Sequence, residues 1–173
     1  PDLKQSSEIQ MGARFSTLGA ERTWCGSGQC ELWGLYWDAG YIETLATDYD
    51  LIFHLAAIIG VVHVLERPYN VLYDNICMLG NMLELARRQT RLSRFFFAST
   101  SEVYAGTLKH FDLPIPTPEN TPLALTALSH PRTSYMLSKI YGEALCQQAG
   151  IPFTLFRPHN IYGPRMGMAH VIP

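Results

Sequence analysis

Charge of neither sign dominates these 173 residues: 13 Lys and Arg stand against 15 Asp and Glu, for a net charge of −2. That balance argues against a nucleic-acid-binding surface, and no run of like charges points to a solvated tail. Cysteine is scarce and unpaired. Cys25, Cys30, Cys77 and Cys146 show no C-x-x-C spacing, which argues against a zinc site or disulfide framework and fits reduced thiols in the cytoplasm. No apolar run reaches membrane-spanning length; Leu51 to Leu65 falls short and contains His54 and His63. The N-terminus carries no signal-peptide pattern. A glycine-rich phosphate loop is also missing, because Gly26-Ser27-Gly28 lacks the further glycine and helix and reads as a turn.

What is present is an ordinary apolar content, 47% hydrophobic, in a chain long enough to build one core. Residues 1 to 30 show little periodicity. Glu31 to Tyr36 reads as a short strand, and Asp38 as the N-cap of a helix through Leu45. Leu51 to Ala57 is a continuous apolar run, as expected of a parallel strand buried on both faces, with His54 packed within it. Leu72, Ile76, Leu79 and Leu83 recur at helical spacing and predict a helix over Tyr69–Arg88. Arg94 to Ser99 is the next buried strand.

A long connection, Ala105 to Arg132, follows with Pro114, Pro116, Pro118, Pro122 and Pro131, and its length suggests a lid or binding edge. The second long helix is expected over Thr133–Ala149 with Gly150 as its stop, and Pro152 to Arg157 as a strand. Cys77 and Cys146 fall on the helices as core residues. Strands alternating with crossover helices imply an α/β, Rossmann-like doubly wound parallel sheet, with ligands at the carboxyl ends of its strands. Ala56 and Ala57, Thr100 and Glu102, and Asn160 lie at such ends.

Tyr135 and Lys139 stand four apart, so on a helix they share one face. A tyrosine titrates near pKa ~10, too high for a base at neutral pH. A fixed ammonium beside it is expected to favour the phenolate and lower that value. The Thr100 hydroxyl is placed to bond the same substrate oxygen. Alone, this spacing is equally that of a solvated helical pair.

Five segments in order carry a resemblance: His54-Leu55-Ala56-Ala57; Asn75; Ser99-Thr100-Ser101-Glu102-Val103-Tyr104; Tyr135-x-x-x-Lys139; and Arg157-Pro158-His159-Asn160-Ile161-Tyr162-Gly163-Pro164. Together they resemble the extended short-chain dehydrogenase/reductase family in its nucleotide-sugar epimerase/dehydratase branch, from about Trp33 to Pro173. The resemblance implies a tightly held NAD that takes a hydride from the sugar ring, giving a keto-sugar that is epimerised, dehydrated or decarboxylated. It implies Tyr135 as base, Lys139 as the holder of the nicotinamide ribose, and Thr100 as the hydroxyl orienting the substrate. Glu102 is implied as a second proton carrier, a role that tilts toward dehydration or decarboxylation; the alternative for it is a plain strand-end charge.

Leu55, Ala56, Ala57, Asn75 and Ser99, with Tyr135 and Lys139, are implied to line the cofactor, and Ser101, Asn160 and His170 the sugar nucleotide. A helix-to-backbone bond for Asn75 and a surface position for His159 stay open. No metal is implied. The expected partners are a nucleotide-sugar and a second copy of the chain, paired through helices 69–88 and 133–149, with neither nucleic acid nor membrane involved.

Two departures bear on this. The glycine loop that holds a pyrophosphate is absent ahead of the His54 strand, and Leu35 stands where an adenine-binding aspartate is usual. The expectation is a piece of a longer enzyme, incomplete at its N-terminal β-α unit and inactive in isolation. Residues 1–157 would form part of the NAD-binding domain, and 158–173 would begin the substrate region. The readings kept beside an epimerase/dehydratase are a decarboxylase of the UDP-glucuronate type, on Thr100-Ser101-Glu102, and a truncated non-catalytic chain acting through protein contacts.

Overall fold

The computed structural model describes residues 39–161. The expected strand at 31–36, the Gly26–Gly28 turn, the cap Asp38, Leu35 and His170 lie outside them.

Among the described residues three parallel strands form the sheet, β1 (Leu51–His54), β2 (Arg94–Ala98) and β3 (Phe153–Phe156), in the order β1-β2-β3. Helix α1 (Ala39–Glu43) precedes β1, α2 (Val61–Glu66) and α3 (Pro68–Arg87) lie between β1 and β2, and α5 (Thr133–Gln148) carries the chain to β3. Apart from α2, which the sequence reading did not anticipate, these are the elements the patterns predict, with ends shifted by one to three residues. Pro68 starts α3, where its missing N–H would have had no helical partner. Gly150 takes φ +70° just past α5, the left-handed conformation that stops a helix.

Burial on β1 and β2 alternates rather than covering both faces. Ile52, His54, Phe95 and Phe97 are buried against the helices, whereas Phe53 is 47% exposed and stacks on Phe96 with ring centres 4.4 Å apart. The expectation of a β1 strand buried on both faces is therefore corrected, and the strand ends at His54. Leu79, Met82, Leu83, Leu85 and Ala86 of α3 and Cys146 of α5 complete the core with Ile42 of α1, while Cys77 is only half-buried. Gly142 is where α5 comes closest: a Cβ there would sit 2.6 Å from Phe97 Cζ and 2.8 Å from Leu79 Cδ2. The missing side chain lets the helix settle into the angle between β2 and α3.

The stretch expected to be a plain loop contains structure. A 3-10 turn, Ser101–Tyr104, leads into α4 (Ala105–His110). The rest of the connection folds back onto α4, where Thr107 Oγ1 donates to the Pro122 carbonyl at 2.8 Å and accepts from the Ala124 amide at 3.0 Å. Gly106 permits this contact, since a Cβ there would overlap the Ala124 carbonyl. A helix of one and a half turns has little stability of its own, so these tertiary bonds are what form it. No helix among the described residues is long and apolar enough to cross a membrane.

Candidate active site

All three strands point their carboxyl ends to one edge, and the ladder continues beyond the strands. The Ser99 amide donates to the Phe156 carbonyl at 2.9 Å and the Ser101 amide to that of Pro158 at 3.0 Å. Thr100 is thus held, buried, at the end of β2, its Oγ1 accepting from the Glu102 amide at 3.3 Å and capping the 3-10 turn. Tyr135, in the first turn of α5, reaches this edge half-buried, with the Thr100 side chain beside its phenol. Tyr135, Thr100, Glu102 and Lys139 are therefore brought together.

Lys139 follows one turn later and is buried, 4% exposed. Its Nζ donates to the Ala98 carbonyl at 2.8 Å and lies 4.9 Å from the Phe97 ring centre and 5.7 Å from that of Tyr135. Burial pushes this ammonium down to about 8. Behind it His54, stacked between Phe95 and Phe97, is pushed down to about 3 by burial and by Lys139, and stays neutral. His54 is a packed strand residue, as its sequence context indicates.

Tyr135 does not follow expectation. Burial raises its pKa, the Glu102 carboxylate beside it raises it further, and only the Thr100 side chain works the other way. The expected lowering by Lys139 is corrected here. The shared helix face holds, but the ammonium is turned to the Ala98 carbonyl and lies against the ring rather than on the phenol oxygen.

Asn75 has a definite task. Its Oδ1 accepts from the Ile58 amide at 2.7 Å, and its Nδ2 donates to the Ile58 carbonyl at 3.2 Å and to Ser138 Oγ at 3.4 Å. It pins the segment after β1 to α5, fixing the half-buried Ala56 and Ala57, while Leu55 is 61% exposed. The two alanines offer backbone without bulk, and Lys139 has N–H donors beyond the one on Ala98, so this edge fits a ribose-bearing cofactor. The Ser99 hydroxyl is given to the Glu143 carboxylate. Ser101 is half-buried, whereas Asn160 is exposed, its amide donating to His159 Nδ1 at 2.8 Å.

Sequence reasoning missed Glu143. This buried carboxylate accepts from Ser99 Oγ at 2.5 Å and holds Arg157 in a two-pronged pair, Nε to Oε1 at 2.8 Å and Nη2 to Oε2 at 2.6 Å. Arg157 also donates to the Tyr104 hydroxyl and, at 2.9 Å, to the Glu119 carbonyl, with its guanidinium 4.9 Å over the Tyr104 ring. Its pKa is raised, chiefly by the hydrogen bonds to Glu143. The available signal was spacing: 135, 139 and 143 share one helical face.

Comparison with known proteins gives three findings. A sequence profile described as "NAD dependent epimerase/dehydratase family" matches residues 38–173. The UDP-N-acetyl-alpha-D-glucosaminuronate decarboxylase of Bacillus cytotoxicus is 36% identical over 131 residues, covering 74% of this chain but 38% of that protein. Among solved structures, the UDP-glucose 4-epimerase with UDP-glucose from Thermotoga maritima is 25% identical with TM-score 0.61, covering 75% of this chain and 41% of the other. RMD from Pseudomonas aeruginosa complexed with NADPH, 24% identical with TM-score 0.61 over 79% of this chain and 45% of the other, shares the fold.

Proposed function

The chain belongs to the NAD dependent epimerase/dehydratase family, and from that premise we propose that Tyr135, Thr100, Lys139 and Glu102 form the proton-transfer end of a nucleotide-sugar site. The observation that carries this reading is the meeting of the Tyr135 phenol with Thr100 and Glu102 at the carboxyl end of the sheet, with Lys139 buried one turn away and anchored on the Ala98 carbonyl. Tyr135 removes the proton from a sugar hydroxyl, and Thr100 orients the oxygen that loses it. Lys139, anchored on Ala98, donates its remaining N–H groups to ribose hydroxyls. Ala56 and Ala57, held by Asn75, line the cofactor's approach. When bound, NAD supplies the hydride acceptor and donor that takes the sugar through a ketone, and its positive ring favours the phenolate. We name NAD rather than NADP on the family's description.

Glu102 favours one branch of the reaction class. It is exposed beside Tyr135 and raises the phenol's pKa, so it is close enough to exchange protons with the same substrate. A second carboxylate serves dehydration or decarboxylation, where a further proton moves after the ketone forms, better than simple epimerisation. The likeness to a UDP-sugar decarboxylase supports the same branch.

We extend the reading to organisation: residues 1–157 belong to the cofactor half, 158–173 open the sugar-nucleotide half with Asn160 and His170, and α3 and α5 pair with a second copy. Exposed Tyr69 and Tyr73, stacked on α3, and Tyr141 on α5 suit such a contact.

The test is Tyr135→Phe in the cofactor-bearing protein, with UDP-glucuronate, UDP-glucose and dTDP-glucose offered and products separated by chromatography. Turnover is expected to fall ~10²–10⁴-fold with KM little changed, the range for loss of a general base. Full turnover in that variant refutes the assignment.

A further inference from the structure

Glu143 is placed where a solvated helix residue would be harmless, yet it is 2% exposed and makes three hydrogen bonds. Three elements meet on its carboxylate. It belongs to α5, the helix of Tyr135 and Lys139. Ser99, which binds it, is the residue before Thr100 at the end of β2. Arg157, which binds it twice, leaves the end of β3 and reaches Tyr104, the last residue of the turn that carries Glu102. Every group that sets the ionisation of Tyr135 apart from burial, namely Thr100 and Glu102, is therefore tied through one carboxylate to the helix that carries the phenol.

A buried ion pair contributes little net stability relative to apolar residues of the same volume, because desolvation offsets the attraction. A two-pronged arginine–carboxylate pair does fix geometry, since both groups are planar and rigid. Glu143 lies two helical turns from Tyr135, about 12 Å along the axis, too far to act on the phenol through a hydrogen bond of its own. Its effect on the chemistry must pass through where it holds α5.

We propose that Glu143, clamped by Arg157 and Ser99, is a positioning residue that holds Tyr135 against the Thr100 side chain at the end of β2. The proposal rests on the reading of Tyr135 as base, and concerns the residue that sets that base rather than the base itself. Without the clamp, α5 and the end of β2 shift relative to one another and the Thr100 side chain loses its place beside the Tyr135 phenol.

The charged groups against the phenol are Glu102 from the 3-10 turn and Lys139 from α5, with neutral His54 behind Lys139 on β1. Their layout gives the test a sign. Removing the Glu143 charge would, through space, make Tyr135 a stronger acid. Loss of the Thr100 side chain from beside the phenol would make it a weaker one.

The experiment is a pH titration of Tyr135 by carbon-13 NMR on tyrosine-labelled protein, the resonance assigned with Tyr135→Phe. In Glu143→Gln the titration is expected to move up by about 0.5 to 1 pH unit, a three- to tenfold loss of acidity. Thr100→Val should produce a similar shift alone and little more in the Glu143→Gln background, because both remove the same interaction between Thr100 and the phenol. Turnover of Glu143→Gln should drop about tenfold in kcat with KM nearly unchanged, and its rising pH limb should follow the NMR shift. Ser99→Ala, which leaves the Glu143–Arg157 pair whole, should shift Tyr135 in the same direction and serves if Glu143→Gln fails to fold. Additive shifts, a downward shift, or a lowered melting temperature with Tyr135 unmoved would overturn the proposal. Full turnover in Tyr135→Phe would remove the base reading while the titration still decides whether Glu143 sets the phenol.

Discussion

Replacing Lys139 with methionine should make the protein more stable at neutral pH while removing its function. The ammonium is 4% exposed and its pKa falls from 10.5 to about 8 on burial. At about 1.4 kcal/mol per pH unit, this corresponds to a folding penalty of about 3 kcal/mol below pH 8. The sign follows from proton counts. Between about pH 8 and 10.5 the unfolded chain still binds the proton that the native chain has released, so stability rises with pH across that window. Methionine keeps most of the stem's packing over Phe97 and carries no charge to desolvate, but it leaves the Ala98 carbonyl without its donor, at a cost of about 1–2 kcal/mol. The net gain at pH 7 is then about 1–2 kcal/mol, or roughly 2–8 °C in melting temperature for a domain of this size. By pH 10 the gain should become a small deficit, because a neutral lysine still donates to Ala98. Urea unfolding of both proteins from pH 6.5 to 10 measures the difference. Cys146, pushed up to about 12 by burial and Glu143, and Tyr135 titrate in both and largely cancel. A Lys139→Met protein that is less stable at pH 7, or a difference flat in pH, would refute the reasoning.

Two helical glycines should respond in opposite ways to alanine. At Gly80 nothing lies within 4 Å of the added Cβ, so Gly80→Ala should gain about 0.5–1 kcal/mol from helix propensity. At Gly142 the same methyl meets Phe97 and Leu79, and overpacking of about 1–3 kcal/mol should outweigh that gain. Melting temperatures in the order Gly80→Ala, wild type, Gly142→Ala are expected, and any order placing Gly142→Ala first contradicts the packing. Glu102→Gln removes a carboxylate that raises the Tyr135 pKa, so the rising limb of the pH–rate profile should move to lower pH. A limb that stays in place would mean Glu102 does not act on the phenol.

The framework was legible because its signals are local. The apolar runs of β1, β2 and β3 and the helical spacing of Leu72, Ile76, Leu79 and Leu83 locate the elements to within a few residues. The parallel arrangement follows from the lengths of the crossovers. α4 was not legible, since Gly106 and Thr107 form it by contact with Pro122 and Ala124, and no pattern within Ala105–His110 announces those partners. The half-exposure of Phe53 was hidden for a related reason: an apolar run does not say which of its faces is covered.

The site divides in the same way. Spacing on a helix states which residues share a face, and it put Tyr135 and Lys139 together. It does not say what each polar atom meets at its far end, because those partners are distant in sequence: Ala98 for Lys139, Ser99 and Arg157 for Glu143, Ile58 for Asn75. Hence the face was right and the direction of the tyrosine shift was wrong. One residue links the legible part to the hidden part. Gly142 stands three after Lys139 and lets α5 descend onto Phe97, and that approach carries the ammonium to the Ala98 carbonyl and out of water. The depressed lysine, the neutral histidine behind it and the approach of Tyr135 to Thr100 all depend on this depth. The trace of the site in the sequence therefore includes a glycine with no chemistry of its own, read together with the strand of phenylalanines on which its helix rests.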